Sequence, residues 1–142
     1  MKFRLVMLAF LMLGNSATNE PKGWEIFKKV VFTTTYFEDI DSYFDVPTFN
    51  SELKALNGKM IKLSGFYVSF DSEGTFILSG MPLSSCFFCG GAGPETVAEI
   101  RMEKIPNDLN IDDFIKIEGK LELNQKNIEH LYFIINDAKI IK

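Results

Sequence analysis

This sequence is poor in the residues that most often carry metal or catalytic chemistry. It has two cysteines, one histidine and one tryptophan among 142 residues. No serine, histidine and aspartate stand at a spacing that indicates a hydrolase triad. The longest apolar run, Leu5–Leu13, is too short to cross a bilayer, which takes about 20 helical residues. These shortages disfavour hydrolase chemistry and a membrane-spanning helix.

The N-terminus has the three-part layout of a secretory signal. A positive start with Lys2 and Arg4 is followed by the apolar run Leu5–Leu13 and by the small-residue exit Gly14–Ala17. We therefore predict a signal peptide over residues 1–17 and a single β-barrel domain over 18–142. The expected location is the periplasm or the medium, without a stable membrane span after processing.

The charge balance excludes one class of partner. Removing residues 1–17 takes away two basic side chains and no acidic ones, so the net charge falls from −4 to −6. Such a field repels a phosphate backbone, and nucleic acid is not an expected partner. Anionic lipid headgroups are disfavoured for the same reason.

Alternating apolar and polar residues predict a β-rich domain. The composition, 46% hydrophobic and 13% aromatic, is sufficient for a core. Strands are expected at 30–37, 59–70, 75–79, 96–102, 114–124 and 130–142. Gly65 and Gly119 fall within two of these strands, as in small barrels whose long strands must bend. The fold class is all-β with one or two short helices, as an OB-like Greek-key β-barrel of five to six strands; a β-sandwich is the alternative.

Shorter segments complete the expected architecture. Trp24 and Phe27 open a short helical or irregular segment. The stretch FNSELKALNGK predicts a short helix capped by Asn50 or Ser51. The acidic stretch EDIDSYFDVP lacks the central glycine of an EF-hand and is interpreted as a solvated loop.

The most specific chemical signal is the loop that holds both cysteines, Cys86-Phe-Phe-Cys89, followed by Gly-Gly-Ala-Gly-Pro. A Cys-x-x-Cys-Gly knuckle can direct both sulfurs at one metal ion. A tetrahedral site needs two more ligands, which would come from Glu95, from His130 or from a second subunit. Zinc, iron or cuprous ion suits such a site, with zinc as the first choice. The alternative for His130 is a ring near solvent at the start of the last strand.

Two further chemistries stay open for the same pair. A Cys86–Cys89 disulfide suits an oxidising compartment, and it would mainly hold the shape of the loop. Thiol redox exchange is the third reading, although the glycines and Pro94 that follow oppose the helix of a thioredoxin-like site.

Aromatic residues offer candidate contact surfaces. Phe87 and Phe88 lie between the cysteines, and we expect one of them to be buried and the other exposed to a partner. Phe66, Tyr67 and Phe70, on the first long strand, are candidates for stacking against a ligand, because OB-folds bind ligands on one sheet face.

The order of motifs resembles a group of exported proteins. Leu56-Asn57-Gly58-Lys59, Leu63-Ser64-Gly65-Phe66 and the loop PLSSCFFCGGAGPE resemble small exported proteins of unknown function, of the Bacteroidetes type. They are distantly similar to a wider uncharacterised periplasmic family with a Cys-x-His loop, often found beside transport systems. The resemblance aligns Cys86 with that family's cysteine and brings Cys89 close to its histidine, an exchange that favours a metal. This chain lacks the family's prolines.

These observations predict a binding or accessory module rather than an enzyme. The predicted function is an exported module with a Cys-x-x-Cys metal site. The alternatives are a thiol–disulfide redox partner and a ligand-binding barrel with a structural disulfide. The expected partners are an envelope protein, a transport system or a second copy in a homodimer.

Overall fold

The computed structural model describes residues 22–72 and 74–142. The predicted signal peptide over residues 1–17 lies outside the described residues. Within the described residues, no helix combines the length and the apolar character needed to cross a membrane.

Short helices and seven strands make up the described chain. One α-helix, α1, covers Ser51–Leu56, and single 3₁₀ segments cover Trp24–Lys29, Glu38–Ile40, Leu83–Ser85, Phe87–Cys89 and Pro94–Thr96. The strands are β1 (Val31–Phe37), β2 (Ser42–Thr48), β3 (Met60–Ser72), β4 (Thr75–Ser79), β5 (Val97–Arg101), β6 (Phe114–Leu123) and β7 (Phe133–Ile141).

Five of the strands close into a barrel in the order β3-β4-β5-β7-β6, with β6 returning to β3. All neighbours are antiparallel except β5 and β7, which run parallel and pair only at Glu99 with Ile134 and at Ile100 with Ile135. The long connection between the second and third barrel strands holds the cysteines, as expected. The prediction of an all-β, OB-like barrel is confirmed.

The two strand glycines lie at close approaches between neighbouring strands. A Cβ atom on Gly65 would collide with the backbone carbonyl of Ser79. A Cβ atom on Gly119 would lie 2.5 Å from the Ile135 side chain. The register shift beside Gly119 is accommodated in β7, where Asp137 adopts a left-handed conformation with φ of 52°. The expected bend is therefore shared between the glycine and a bulge in the opposite strand.

The segment before β1 closes one end of the barrel with aromatic rings. Phe27 is fully buried and stacks on Phe133, with ring centroids 4.0 Å apart and planes 4° apart. Trp24 meets the edge of Phe27, and its indole N–H donates to the Ser64 carbonyl at 2.9 Å. Phe49 also contacts Phe133, with ring centroids 5.8 Å apart. These contacts join the start of the described chain to the last strand.

Outside the barrel, β1 and β2 form a two-stranded ribbon, which we call the arm. The prediction of a solvated loop at the acidic stretch is wrong, because β2 pairs with β1 from Val31↔Thr48 to Phe37↔Ser42. Tyr43, Phe44 and Val46 supply strand-forming side chains that outweigh the acidic residues around them. Helix α1 is confirmed, and Asn50 is its cap, since its side chain accepts from the Leu53 N–H at 2.9 Å.

Candidate functional site

The cysteine loop, residues 80–96, covers part of the outer barrel surface. Val68, Ile77 and Val97 form a small buried cluster on that surface. Leu83 and Phe87 from the loop pack against this cluster. The loop is also fastened at one point, where the Leu83 N–H donates to the Asp112 carboxylate at 2.8 Å. The loop is therefore held against the barrel and can form one wall of a ligand site on this surface.

Glycines shape the turn around the Cys-x-x-Cys motif. Gly90 has a φ of 75° and ends the Phe87–Cys89 turn, with its N–H donating to the Phe87 carbonyl. The Gly91 N–H donates to the Cys86 carbonyl at 3.1 Å. A Cβ atom on Gly91 would lie 2.5 Å from the Ser85 carbonyl oxygen. The chain therefore folds back directly after the motif; the left-handed φ favours glycine at position 90, and the close backbone of Ser85 leaves no room for a Cβ atom at position 91.

The four predicted metal ligands lie in different surroundings. Cys86 has no exposed surface, and the side chain of Cys89 lies outside what the structure describes. The Glu95 carboxylate folds back over Gly93, and His130 contacts Glu99. Among the described side chains, no three of His, Cys, Asp and Glu come together as a metal site.

A buried carboxylate holds His130 in place. Glu99, on β5, is only 4% exposed. Its carboxylate accepts from the Arg101 guanidinium at 2.8 Å and from the Leu131 N–H at 3.2 Å. It also lies 3.1 Å from Nδ1 of His130. A carboxylate bound to one ring nitrogen fixes the orientation of an imidazole and leaves the other nitrogen for a ligand.

Sequence reasoning missed Glu99. The alternation of β5 places it on the same face as Val97 and Arg101, and a charged residue on an outer face of a barrel is usually solvated. The loop before β7 instead covers it. The available signal was the isolated acid within the apolar run VAEI, together with the only histidine of the chain as its partner.

An apolar cleft of about 490 Å³ lies beside this pair. Three segments line it: the arm, the cysteine loop and the loop between β6 and β7. Aromatic and aliphatic side chains dominate its walls. The lining residues are Phe37, Phe44, Asp45, Val46, Phe87, Pro94, Gln125, Lys126, Asn127, Ile128, His130, Leu131 and Tyr132.

The arm is attached to the barrel at this cleft. The Tyr132 hydroxyl donates to the Asp45 carbonyl, and the Gln125 side-chain amide donates to the Pro47 carbonyl at 2.9 Å. Phe32 packs against the Tyr132 ring at 5.3 Å. Burial, with the nearby Asp45 charge, raises the pKa of Tyr132 above its usual range. Tyr132 therefore stays a hydrogen-bond donor at neutral pH and keeps the arm in position.

The predicted aromatic surfaces divide between core and solvent. Tyr67 is 8% exposed and packs on Phe76, so it belongs to the barrel core. Phe66 is half-buried and meets the edge of Phe114. Phe88 is 52% exposed, whereas Phe87 is half-buried and lines the cleft. Of these four residues, Phe87 alone lines the cleft.

Comparison with known proteins leaves the site to be interpreted from its own geometry. No protein-family model, no curated protein and no solved structure matches the chain. The assignment to the class of OB-like barrels rests on the strand order and on the single parallel pairing of β5 with β7.

Proposed function

We propose that this protein is a binding module that takes a small molecule with an apolar body into the cleft. The cleft itself carries the proposal: it measures about 490 Å³ and is lined mainly by aromatic and aliphatic side chains from three separate segments. Ligand sites are typically concave, mostly apolar and supplied with a few polar groups. A volume of this size suits a ring system or a short acyl chain.

One wall of the cleft, the loop between β6 and β7, supports this function, although none of the lining residues lies on β4 or β5. OB-folds bind ligands on the face of their second and third strands, next to the loop that joins the fourth and fifth. Here those strands are β4 and β5, and the loop is residues 124–132. The cysteine loop packs over part of this face through Leu83 and Phe87. A long oligomer would meet that loop, so the arrangement favours a compact ligand.

Polar groups at one side of the cleft set the second requirement for the ligand. His130 is held by Glu99, and its side chain is 38% exposed. Lys126 and Asn127 lie on the same loop and line the same cleft. A ligand with an apolar body and one polar or anionic end would satisfy both the walls and these groups.

The dye 8-anilinonaphthalene-1-sulfonate has both properties and serves as the probe. We expect saturable binding with a rise in fluorescence. The Phe44→Ala variant should weaken binding about tenfold, because it removes an aromatic wall. Phe70→Ala is the matched control, since Phe70 is 51% exposed on β3 and does not line the cleft. Equal loss in both variants, or no saturable binding, would refute the proposal.

A second candidate function belongs to the cysteine pair. The backbone bond from Gly91 to Cys86 folds both cysteines into one tight turn, which favours their acting together. A metal, with zinc as the first choice, would be held by Cys86 and Cys89 and completed by Glu95 or His130. The contact from His130 Nδ1 to Glu99 is the carboxylate–histidine pairing that metal-binding histidines use. Full burial of Cys86 disfavours it as an attacking thiol in redox exchange.

Native mass spectrometry separates the chemistries of this pair. For protein exported from a bacterial host and purified without reductant or chelator, we expect the mass of one bound ion. The Cys86→Ser/Cys89→Ser double variant should lose that mass. A metal-free wild-type protein lighter by two hydrogens would instead establish the disulfide and reject the metal.

A further inference from the structure

The outer edge of β1 lacks the features that normally protect an edge strand. Among the described residues, β1 pairs only with β2. Its sequence, VFTTTYF, has no charge, no proline and no glycine, and Val31 is 62% exposed. By contrast, β2 carries Asp45 and Pro47, two residue types that discourage further pairing. An uncharged, β-branched edge is a template for another strand.

We propose that two copies of this chain associate through their β1 edges, antiparallel, with the two-fold axis at Thr34. The arms then form a four-stranded sheet, β2-β1-β1-β2. In this register Thr33 faces Thr35 of the second copy, and Phe32 faces its Tyr36. Val31 faces Phe37 in the same way. Threonine pairs and pairs of aromatic or aliphatic side chains are the cross-strand contacts that stabilise antiparallel sheets.

Charges at both ends of this register are complementary. Lys28 and Lys29 precede β1 with only Val30 between, and Glu38 and Asp39 directly follow it. Lys29 also forms an ion pair with Glu52 of its own chain at 2.6 Å, so of the two lysines Lys28 is the one with no ion pair among the described residues. Antiparallel pairing about Thr34 brings the basic pair of one copy and the acidic pair of the other to the same end of the paired strands. The two-fold axis produces this match twice. Opposite charges at the ends fix the register without placing a charge in the centre of the seam.

This complementarity favours a second copy over an unrelated strand. The basic start and acidic end of the segment Lys28–Asp39 make it complementary to its own antiparallel image. Contact of one surface with the same surface of a second copy closes after two chains. The proposal does not require a ligand in the cleft, because the backbone pairing uses the outer edge of the arm; Phe37 is the one residue that belongs both to β1 and to the cleft wall.

Paired substitutions at Thr33 and Thr35 test both the dimer and its register. Both side chains are exposed. The Thr33→Asp/Thr35→Asp variant places like charges opposite each other at two positions, and it should raise the dissociation constant at least about tenfold. The Thr33→Asp/Thr35→Lys variant places opposite charges at the same positions and should retain the dimer.

Sedimentation equilibrium of the protein expressed from the full chain measures the association, with Trp24 fluorescence as a check that each variant is folded. A dimer that the first variant weakens and the second retains supports the proposal. A wild-type monomer at every concentration up to the solubility limit would overturn it. Equal effects of the two variants, or growth into open polymers, would overturn it as well.

Discussion

The Phe27→Ala variant is expected to lose about 3–5 kcal/mol in free energy of unfolding. Phe27 has no exposed surface and lies between Trp24 and Phe133. Truncation would remove the stacked contact at 4.0 Å and leave a cavity at the end of the barrel. The surrounding rings cannot close such a cavity without breaking their own contacts, and the upper part of this range therefore applies.

Urea denaturation followed by Trp24 fluorescence measures this loss. Trp24 is the only tryptophan and is 4% exposed, so its emission reports on this end of the barrel. Phe70→Ala is the control and should change stability by less than about 1 kcal/mol, because Phe70 is largely exposed. If Phe27→Ala does not fold, Phe27→Leu should still fold with a smaller loss. Similar losses at positions 27 and 70 would contradict the packing described for Phe27.

The Glu99→Gln variant is expected to lose about 2 kcal/mol and also to weaken probe binding in the cleft. The amide keeps the shape of the side chain but turns one acceptor into a donor. That donor would face the Arg101 guanidinium on one side, or the Leu131 N–H and His130 on the other. Loss of a buried hydrogen bond to a charged group lowers the free energy of unfolding by about 1.5–3 kcal/mol.

Glu118→Gln is the matched control for this substitution. Glu118 lies on β6 and forms a partly exposed ion pair with Lys62 at 3.5 Å. Pairs of this kind contribute about 0–1 kcal/mol, so the control should remain close to the wild type in stability and in probe binding. If Glu99→Gln binds the probe as tightly as the wild type, Glu99 has only a structural role and does not position His130 for a ligand.

The barrel was predictable because its strands carry strong local signals. The alternation in β3 and β6 and the turns between the strands place those elements within a few residues of their observed bounds. The long loop at the cysteines follows from its glycines. Strand β2 was missed because acidic residues at positions 39, 41 and 45 indicate solvent, whereas pairing with β1 is a contact that no local pattern shows.

The site was predictable only in part. Phe87 and His130 were singled out as individual residues, and both line the cleft. Whether Phe44 lines the same cleft depends on where the arm lies against the barrel. Tyr132 and Gln125 determine that position through hydrogen bonds to backbone carbonyls of the arm. Such contacts leave no sequence pattern, because any residue at position 45 or 47 supplies the same carbonyl oxygen. The burial of Glu99 was not predictable either, because the loop that covers it is distant in sequence.

The stacking of Phe27 on Phe133 has a consequence for the order in which the molecule folds. The ring that closes the barrel end comes early in the chain, whereas its partner lies on the last strand. Strand β7 also lies between β5 and β6 in the barrel and pairs with both. Contacts between segments so distant in sequence carry a large loop-closure entropy and slow the folding of a chain. During synthesis, a nascent chain therefore has no closed barrel until β7 has emerged, and folding is expected as one late, cooperative event.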